Sequence, residues 1–209
     1  MKTISQLQYI THDLEEVSHV AQATRACEAG INWIQLRVKN KDHASWKKIA
    51  LTVNNICKKF NTTLIINDNV ELAKEINADG VHLGKEDMNP LNARKVLGNN
   101  YIIGGTANTL EDIINLNSQG VDYIGLGPYK STTTKKKLAP LLGVSGYSRL
   151  IEKCIQLNIK TPIVAIGGIA ESDAQGLMKT GVHGLACSSA INNSKNLKET
   201  ILALSKWKN

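Results

Sequence analysis

Aromatic residues are scarce in this chain: three Trp, five Tyr and one Phe among 209 residues. None is interleaved with basic residues in the way that builds a stacking platform for bases, so no nucleic-acid partner is expected. The four cysteines, Cys27, Cys57, Cys154 and Cys187, are far apart and form no C-x-x-C pair. That spacing excludes a disulfide framework and a zinc cluster, and the thiols read as buried and free in a reducing cytoplasm. No apolar run approaches the roughly 18 residues that a membrane span requires, so no membrane partner is expected. The opening residues, Met1-Lys2-Thr3-Ile4-Ser5-Gln6, lack the apolar stretch of a secretory signal. A cytoplasmic location is the expectation that follows.

What the chain does have is an ordinary globular balance, 42% hydrophobic and 21% charged. At about 150 residues per domain, it reads as one domain spanning residues 1–209 with a core that needs no staples. The net charge is +7. The excess is scattered, apart from Lys135-Lys136-Lys137, and this fits an anionic small-molecule substrate on an otherwise solvated surface.

Short apolar runs alternate with amphipathic stretches along the whole length. Strands are predicted at 6–11, 33–38, 63–68, 80–84, 101–106, 123–127, 162–169 and 184–190. Helical stripes follow them. The clearest carries Trp46, Ile49, Ala50, Val53, Ile56, Cys57 and Phe60, with Lys47, Lys48, Asn54, Lys58 and Lys59 outside it. The first carries Val17, Val20, Ala21, Thr24 and Cys27, and closes at Gly30. Alternating strands and helices call for a parallel sheet with right-handed crossovers, and eight units favour a closed (β/α)8 TIM barrel. In that fold, chemistry sits where strands end and the following loops begin.

Gln35, Arg37 and Lys39 share one face of the second strand, opposite Ile34, Leu36 and Val38. The apolar face must meet the helices, so the polar face points into the barrel or its mouth. An Arg there calls for an anionic partner. The third strand ends Asn67-Asp68, and the fourth is followed by Lys85-Glu86-Asp87. Two carboxylates beyond adjacent strands fit Mg²⁺, which takes one or two carboxylates and completes its shell with water and phosphate oxygens. Asp68 as a turn or helix cap and Asp87 as a plain loop acid fit the spacing equally well. His82 reads as a hydrogen-bonded core histidine.

Gly104-Gly105-Thr106 at the fifth strand end reads as backbone that lets a ligand approach, with a hydroxyl beside it. The longest loop, about 129–142, carries Ser131-Thr132-Thr133-Thr134-Lys135, a phosphate-friendly pattern in a segment long enough to be a lid. Gly167-Gly168 and Ser188-Ser189 close strands seven and eight, the usual phosphate site of this fold. The residues alone therefore give a mouth with two anion-binding regions.

Taken together, Gln35-Leu36-Arg37-Val38-Lys39, Ile66-Asn67-Asp68, Gly80-Val81-His82-Leu83-Gly84-Lys85-Glu86-Asp87, Gly125-Leu126-Gly127-Pro128 with Thr132-Thr133-Thr134-Lys135, Ala165-Ile166-Gly167-Gly168-Ile169 and Ser188-Ser189-Ala190-Ile191 resemble the thiamine phosphate synthase family. They run in family order over nearly the whole chain. The resemblance implies a transferase that joins 4-amino-5-hydroxymethyl-2-methylpyrimidine diphosphate to a thiazole phosphate by dissociative displacement. It implies that Gln35, Arg37, Lys39, Asn67, Thr106 and Lys135 bind the diphosphate substrate, with Arg37, Lys39 and Lys135 assisting departure of pyrophosphate. It places Mg²⁺ on Asp68 and Asp87, and the thiazole phosphate on Thr132, Thr134, Gly168, Ser188 and Ser189. Departures from the family pattern are Lys85 for Gln, Thr106 for Ser and Asn108 for His, the first expected to add charge near the metal. A thiazole tautomerase relative, a barrel of tryptophan biosynthesis and a non-catalytic phosphate-ligand-binding barrel are the alternatives. A homo-oligomer is compatible with the sequence.

Overall fold

A computed structural model describes residues 4–39, 41–131 and 140–207. Its eight strands are β1 (Leu7–Ile10), β2 (Trp33–Leu36), β3 (Thr63–Asn67), β4 (Gly80–Leu83), β5 (Ile102–Ala107), β6 (Tyr123–Leu126), β7 (Ile163–Ile166) and β8 (Gly184–Cys187). They pair in chain order, all parallel, and β8 closes on β1. The expected (β/α)8 barrel is therefore the observed architecture. Between and after the strands run α1 (His19–Glu28), α2 (His43–Lys59), α3 (Val70–Glu75), α4 (Pro90–Leu97), α5 (Leu110–Ser118), α6 (Gly143–Gln156), α7 (Ala174–Met178), α8 (Ser189–Asn192) and α9 (Leu197–Ser205).

Period-two alternation sorts the strand side chains into two cores. Ile34, Leu36, Leu64, Ile66, Val81 and Leu83 face outward into the layer between sheet and helices. Ile10, Trp33, Ile65, Ile102, Tyr123, Val164 and Ala186 fill the barrel interior. The interior is thus packed, and any ligand must sit at the C-terminal mouth.

Several boundaries differ from the pattern reading. The runs 162–169 and 184–190 stop three residues early as strands. Gly167 and Gly168 take φ of 101° and 68°, which a strand does not allow, and Ser189 already opens α8. Helix α1 begins at His19, capped by the Ser18 hydroxyl, so Val17 precedes it and the buried face shifts to His19, Gln22, Ala23, Ala26 and Cys27. Helix α2 is capped by Asp42, whose carboxylate accepts the Ser45 N–H at 2.9 Å. Asn54, expected outside the α2 stripe, is buried, because its amide donates to the Ile76 carbonyl at 2.7 Å. Phe60, expected inside it, is exposed beyond the helix end. All four cysteines are buried and free.

Candidate active site

Strand β2 delivers Gln35 into the barrel and stops at Leu36, leaving Arg37 half-buried at the rim. The Arg37 backbone N–H donates to the Thr11 hydroxyl at 3.1 Å, and the Lys39 N–H donates to the Asp13 carboxylate at 3.1 Å. These two bonds aim the segment without using its charged ends. The Lys39 ammonium pairs with the Asp68 carboxylate. The Arg37 guanidinium makes no hydrogen bond or ion pair with any described residue. Burial pulls its pKa down, while the charges of Asp68 and Asp13 pull it back up.

Asp68 follows β3 with φ of 65°, a left-handed conformation that costs a non-glycine residue about 1–3 kcal/mol and gathers at functional sites. Its N–H donates to the His82 carbonyl at 2.8 Å, which ties the turn to β4. Asp68 is thus a turn residue, but it is not the helix cap: Asn69 caps α3, accepting the Leu72 N–H at 2.8 Å, and the Asp68 carboxylate pairs with Lys39 instead. Asp87 folds back so that Oδ2 accepts the Gly84 N–H at 2.6 Å. The two carboxylates stand close enough to shift each other's titration.

Their titrations diverge. Burial would raise Asp68, but the Lys39 ammonium and the hydrogen bond with Asp87 outweigh it and hold it below the usual carboxylate range. Burial and the Asp68 charge both push Asp87 up. Two interacting carboxylates lose their protons in two separate steps, Asp68 before Asp87. Among the described residues no cluster of three or more His, Cys, Asp or Glu side chains is arranged for a metal. Two carboxylates suffice for Mg²⁺ when phosphate oxygens and water complete the shell, so the donor set fits.

Beside Asp68, Asn67 is 6% exposed and its Nδ2 is buried without a partner among the described residues. A buried donor left unpaired costs about 1–3 kcal/mol, which is recovered when a ligand accepts from it. Across the interior runs a polar chain that the sequence reading did not identify. Gln35 Nε2 donates to Gln8 Oε1 at 3.1 Å, and Gln8 Nε2 donates to Tyr123 Oη at 3.2 Å. Tyr123 Oη lies 3.0 Å from His82 Nδ1, and His82 Nε2 lies 3.0 Å from Thr106 Oγ1. His82 is thus a bonded core histidine, and it aims the Thr106 hydroxyl. The signal for Gln8 and Tyr123 was a polar residue on the inward face of β1 and a glycine, Gly104, in register with a tyrosine. Gly104 serves that tyrosine: a Cβ there would stand 2.2 Å from the Tyr123 ring. Gly105 likewise makes room for Leu116, so neither glycine leaves open backbone for a ligand as expected.

The loop after β6 lies along β7. Tyr129 N–H donates to the Ile166 carbonyl and Lys130 N–H to the Gly167 carbonyl, both at 2.9 Å. A Cβ on Gly168 would stand 2.8 Å from the Ser131 carbonyl oxygen, so Gly168 is needed for this loop packing as well as any ligand contact. Ser188 and Ser189 stand at the start of α8, next to β7 in the barrel order. Thr132, Thr134 and Lys135 lie outside the described residues. Lys85 does not add charge to the carboxylate pair as expected. Its ammonium turns to Asp112, 2.6 Å away. A cleft of about 260 Å³ opens beside it, lined by Asp87, Thr106, Met88 and Asn115 among others.

A closed parallel barrel whose mouth gathers Asp68, Asp87, Lys39 and Arg37, the last without a hydrogen-bond partner among the described residues, has the architecture of a barrel enzyme. The sequence matches the family described as "TMP-TENI: Thiamine monophosphate synthase" over residues 7–191. It is 47% identical over 185 residues to the thiamine-phosphate synthase of Bacteroides fragilis, covering 88% of this chain and 91% of that one. It is 45% identical over 200 residues to the thiamine-phosphate synthase of Flavobacterium johnsoniae, covering 96% and 94%. The solved thiamine phosphate pyrophosphorylase of Pyrococcus furiosus superposes with a TM-score of 0.83 at 31% identity, covering 96% and 94%. The chain belongs to the thiamine monophosphate synthase family and is an enzyme of the transferase class.

Proposed function

We propose that the chain joins 4-amino-5-hydroxymethyl-2-methylpyrimidine diphosphate to a thiazole phosphate, giving thiamine phosphate and pyrophosphate. The observation that carries this reading is the Asp68–Asp87 pair facing Lys39 and a guanidinium, Arg37, with no described protein partner. A diphosphate is the anion that such a mixed acidic and basic rim accommodates, because the acids hold a divalent cation while the bases take the remaining oxygens. Asp68 and Asp87 would hold Mg²⁺, and the ion, when bound, would supply positive charge toward the leaving pyrophosphate. Arg37 and Lys39 stabilise the same charge directly from β2's end, and Lys135 joins them from the long loop. Asn67 donates its amide, which has no partner among the described residues, to the diphosphate, and the Thr106 hydroxyl, oriented by His82, donates from β5, on the other flank of β4.

The pyrimidine CH₂–O bond breaks first, and the aminopyrimidine ring carries the resulting cation. Gln35 and its polar chain hold the ring side of the interior. The thiazole nitrogen attacks with its own lone pair, so no general base is required, and the barrel's task is alignment. Ser188, Ser189 and Gly168 hold the thiazole phosphate on the β7–β8 side, and the same role is assigned from the sequence to Thr132 and Thr134. A cytoplasmic location fits the four buried free thiols. Among the described residues no helix is long and apolar enough to cross a membrane.

Incubation with both substrates and Mg²⁺ tests the reaction: release of pyrophosphate coupled to thiamine phosphate supports it, whereas thiazole isomerisation without pyrophosphate marks a tautomerase. The two halves of the site separate in a second measurement. Ser189→Ala is expected to weaken thiazole phosphate binding about tenfold, the worth of a hydrogen bond to a charged group, and leave pyrimidine diphosphate binding within twofold. Equal weakening of both in direct titrations contradicts the assignment.

Acid should act through Asp87. Its pKa is raised, so this carboxyl is the last of the pair to lose its proton and the first to regain it. Mg²⁺ affinity is therefore expected to be full above the Asp87 pKa and to fall about tenfold per pH unit below it, one proton competing with one metal. Calorimetric Mg²⁺ titrations from pH 8 downward check this; an affinity flat to the ordinary carboxylate range contradicts it.

A further inference from the structure

The mouth loops are cross-braced through a single carboxylate oxygen outside the barrel. Asp112 Oδ2, in the first turn of α5, accepts the Asn108 N–H at 2.8 Å and the Thr109 N–H at 3.0 Å, and the Lys85 ammonium stands 2.6 Å away. Asn108 in turn donates its side-chain amide to the Gly127 carbonyl at the end of β6. The bridge therefore runs from the β4 loop, through the β5 loop, to the start of the β6 loop. Its first anchor is two residues from Asp87, in a turn that closes by Gly84 N–H to Asp87 Oδ2 and by Asp87 N–H to the Gly84 carbonyl at 3.3 Å.

We propose that Lys85 is a positioning residue: tethered to Asp112, it fixes the Gly84–Asp87 turn so that the Asp87 carboxylate is preset beside Asp68 for a divalent cation. The inference rests on the metal reading above and adds to it a residue that touches neither metal nor substrate. Charge and tether predict opposite effects, which makes the role measurable. As a bare positive charge near the pair, Lys85 would repel the cation, and removing it would tighten metal binding. As a tether, removing it loosens Asp87 and weakens metal binding. A glutamine at this position loses the charge and keeps a donor for Asp112.

The test is an Mn²⁺ titration of the substrate-free protein followed by electron paramagnetic resonance, with unmutated chain, Lys85→Met and Lys85→Gln. The expected result is an affinity about threefold to fivefold weaker for Lys85→Met, as befits a partly exposed ion pair. Lys85→Gln should stay within twofold of the unmutated chain. Tighter or unchanged binding by Lys85→Met overturns the inference, as does equal behaviour of the two variants. Absence of Mn²⁺ binding by the unmutated chain overturns the metal reading and the inference with it. Binding by the unmutated chain with no loss in Lys85→Met removes the inference alone.

Discussion

Asp68→Asn and Asp87→Asn are each expected to lower Mg²⁺-dependent pyrophosphate release by about 10²–10³-fold, the scale of removing one preorganised electrostatic group from a transition state. The fold should survive both changes, and the geometry says why. Asp68 sits at φ of 65°, a region that Asn tolerates well, whereas alanine there would add backbone strain to the loss of charge. Asparagine at 87 keeps an oxygen to accept the Gly84 N–H that closes the turn. The Lys39 ammonium loses its carboxylate partner in Asp68→Asn, but it is partly exposed and water can solvate it. Rates near those of the unmutated chain in both variants, with unchanged melting, would remove the metal from the account.

Gly104→Ala is expected to be costly to the whole molecule. The added Cβ would meet the Tyr123 ring at 2.2 Å and its hydroxyl oxygen at 2.6 Å, inside a barrel that Trp33 already packs edge-on against the same ring at 4.9 Å. The ring has nowhere to retreat, so overpacking should cost about 1–3 kcal/mol, and more if the backbone must move. At about 2–4 °C per kcal/mol for a chain of this size, the melting midpoint drops by several degrees. Activity should fall with it, because displacing Tyr123 Oη breaks the links to both Gln8 and His82. Gly176→Ala in α7 is the control. Among the described residues its new Cβ meets only Val144, at 3.7 Å, and alanine favours the helix, so stability should hold or rise. Equal effects of the two substitutions in thermal melts would contradict the packing argument.

The barrel was legible because each strand announces itself by position: apolar runs at regular spacing, each followed by a helical stripe. The rim was legible for the same reason, since counting strands puts Arg37, Asp68, Asp87, Gly168 and Ser189 at strand ends without any knowledge of distance. What the pattern did not carry was side-chain direction after the strand. Lys85 and Asp87 are two residues apart in a tight turn, yet one pairs with α5 and the other with Asp68. Gly104 and Gly105 signal close approach but do not say by what; the answer, Tyr123 and Leu116, lies on β6 and α5. Asn54 reads as surface by polarity and is buried because the Ile76 carbonyl needs a donor. In each case a long-range partner decided, and a one-dimensional pattern holds no such partner.

Thiamine phosphate and pyrophosphate formation, followed together in time from the two heterocyclic substrates with and without Mg²⁺, test the central claim most directly. The account predicts that both products rise in equal amounts, only with the metal, and stop when either substrate is left out. A well-folded sample that binds Mg²⁺ and both substrates but forms neither product would contradict it.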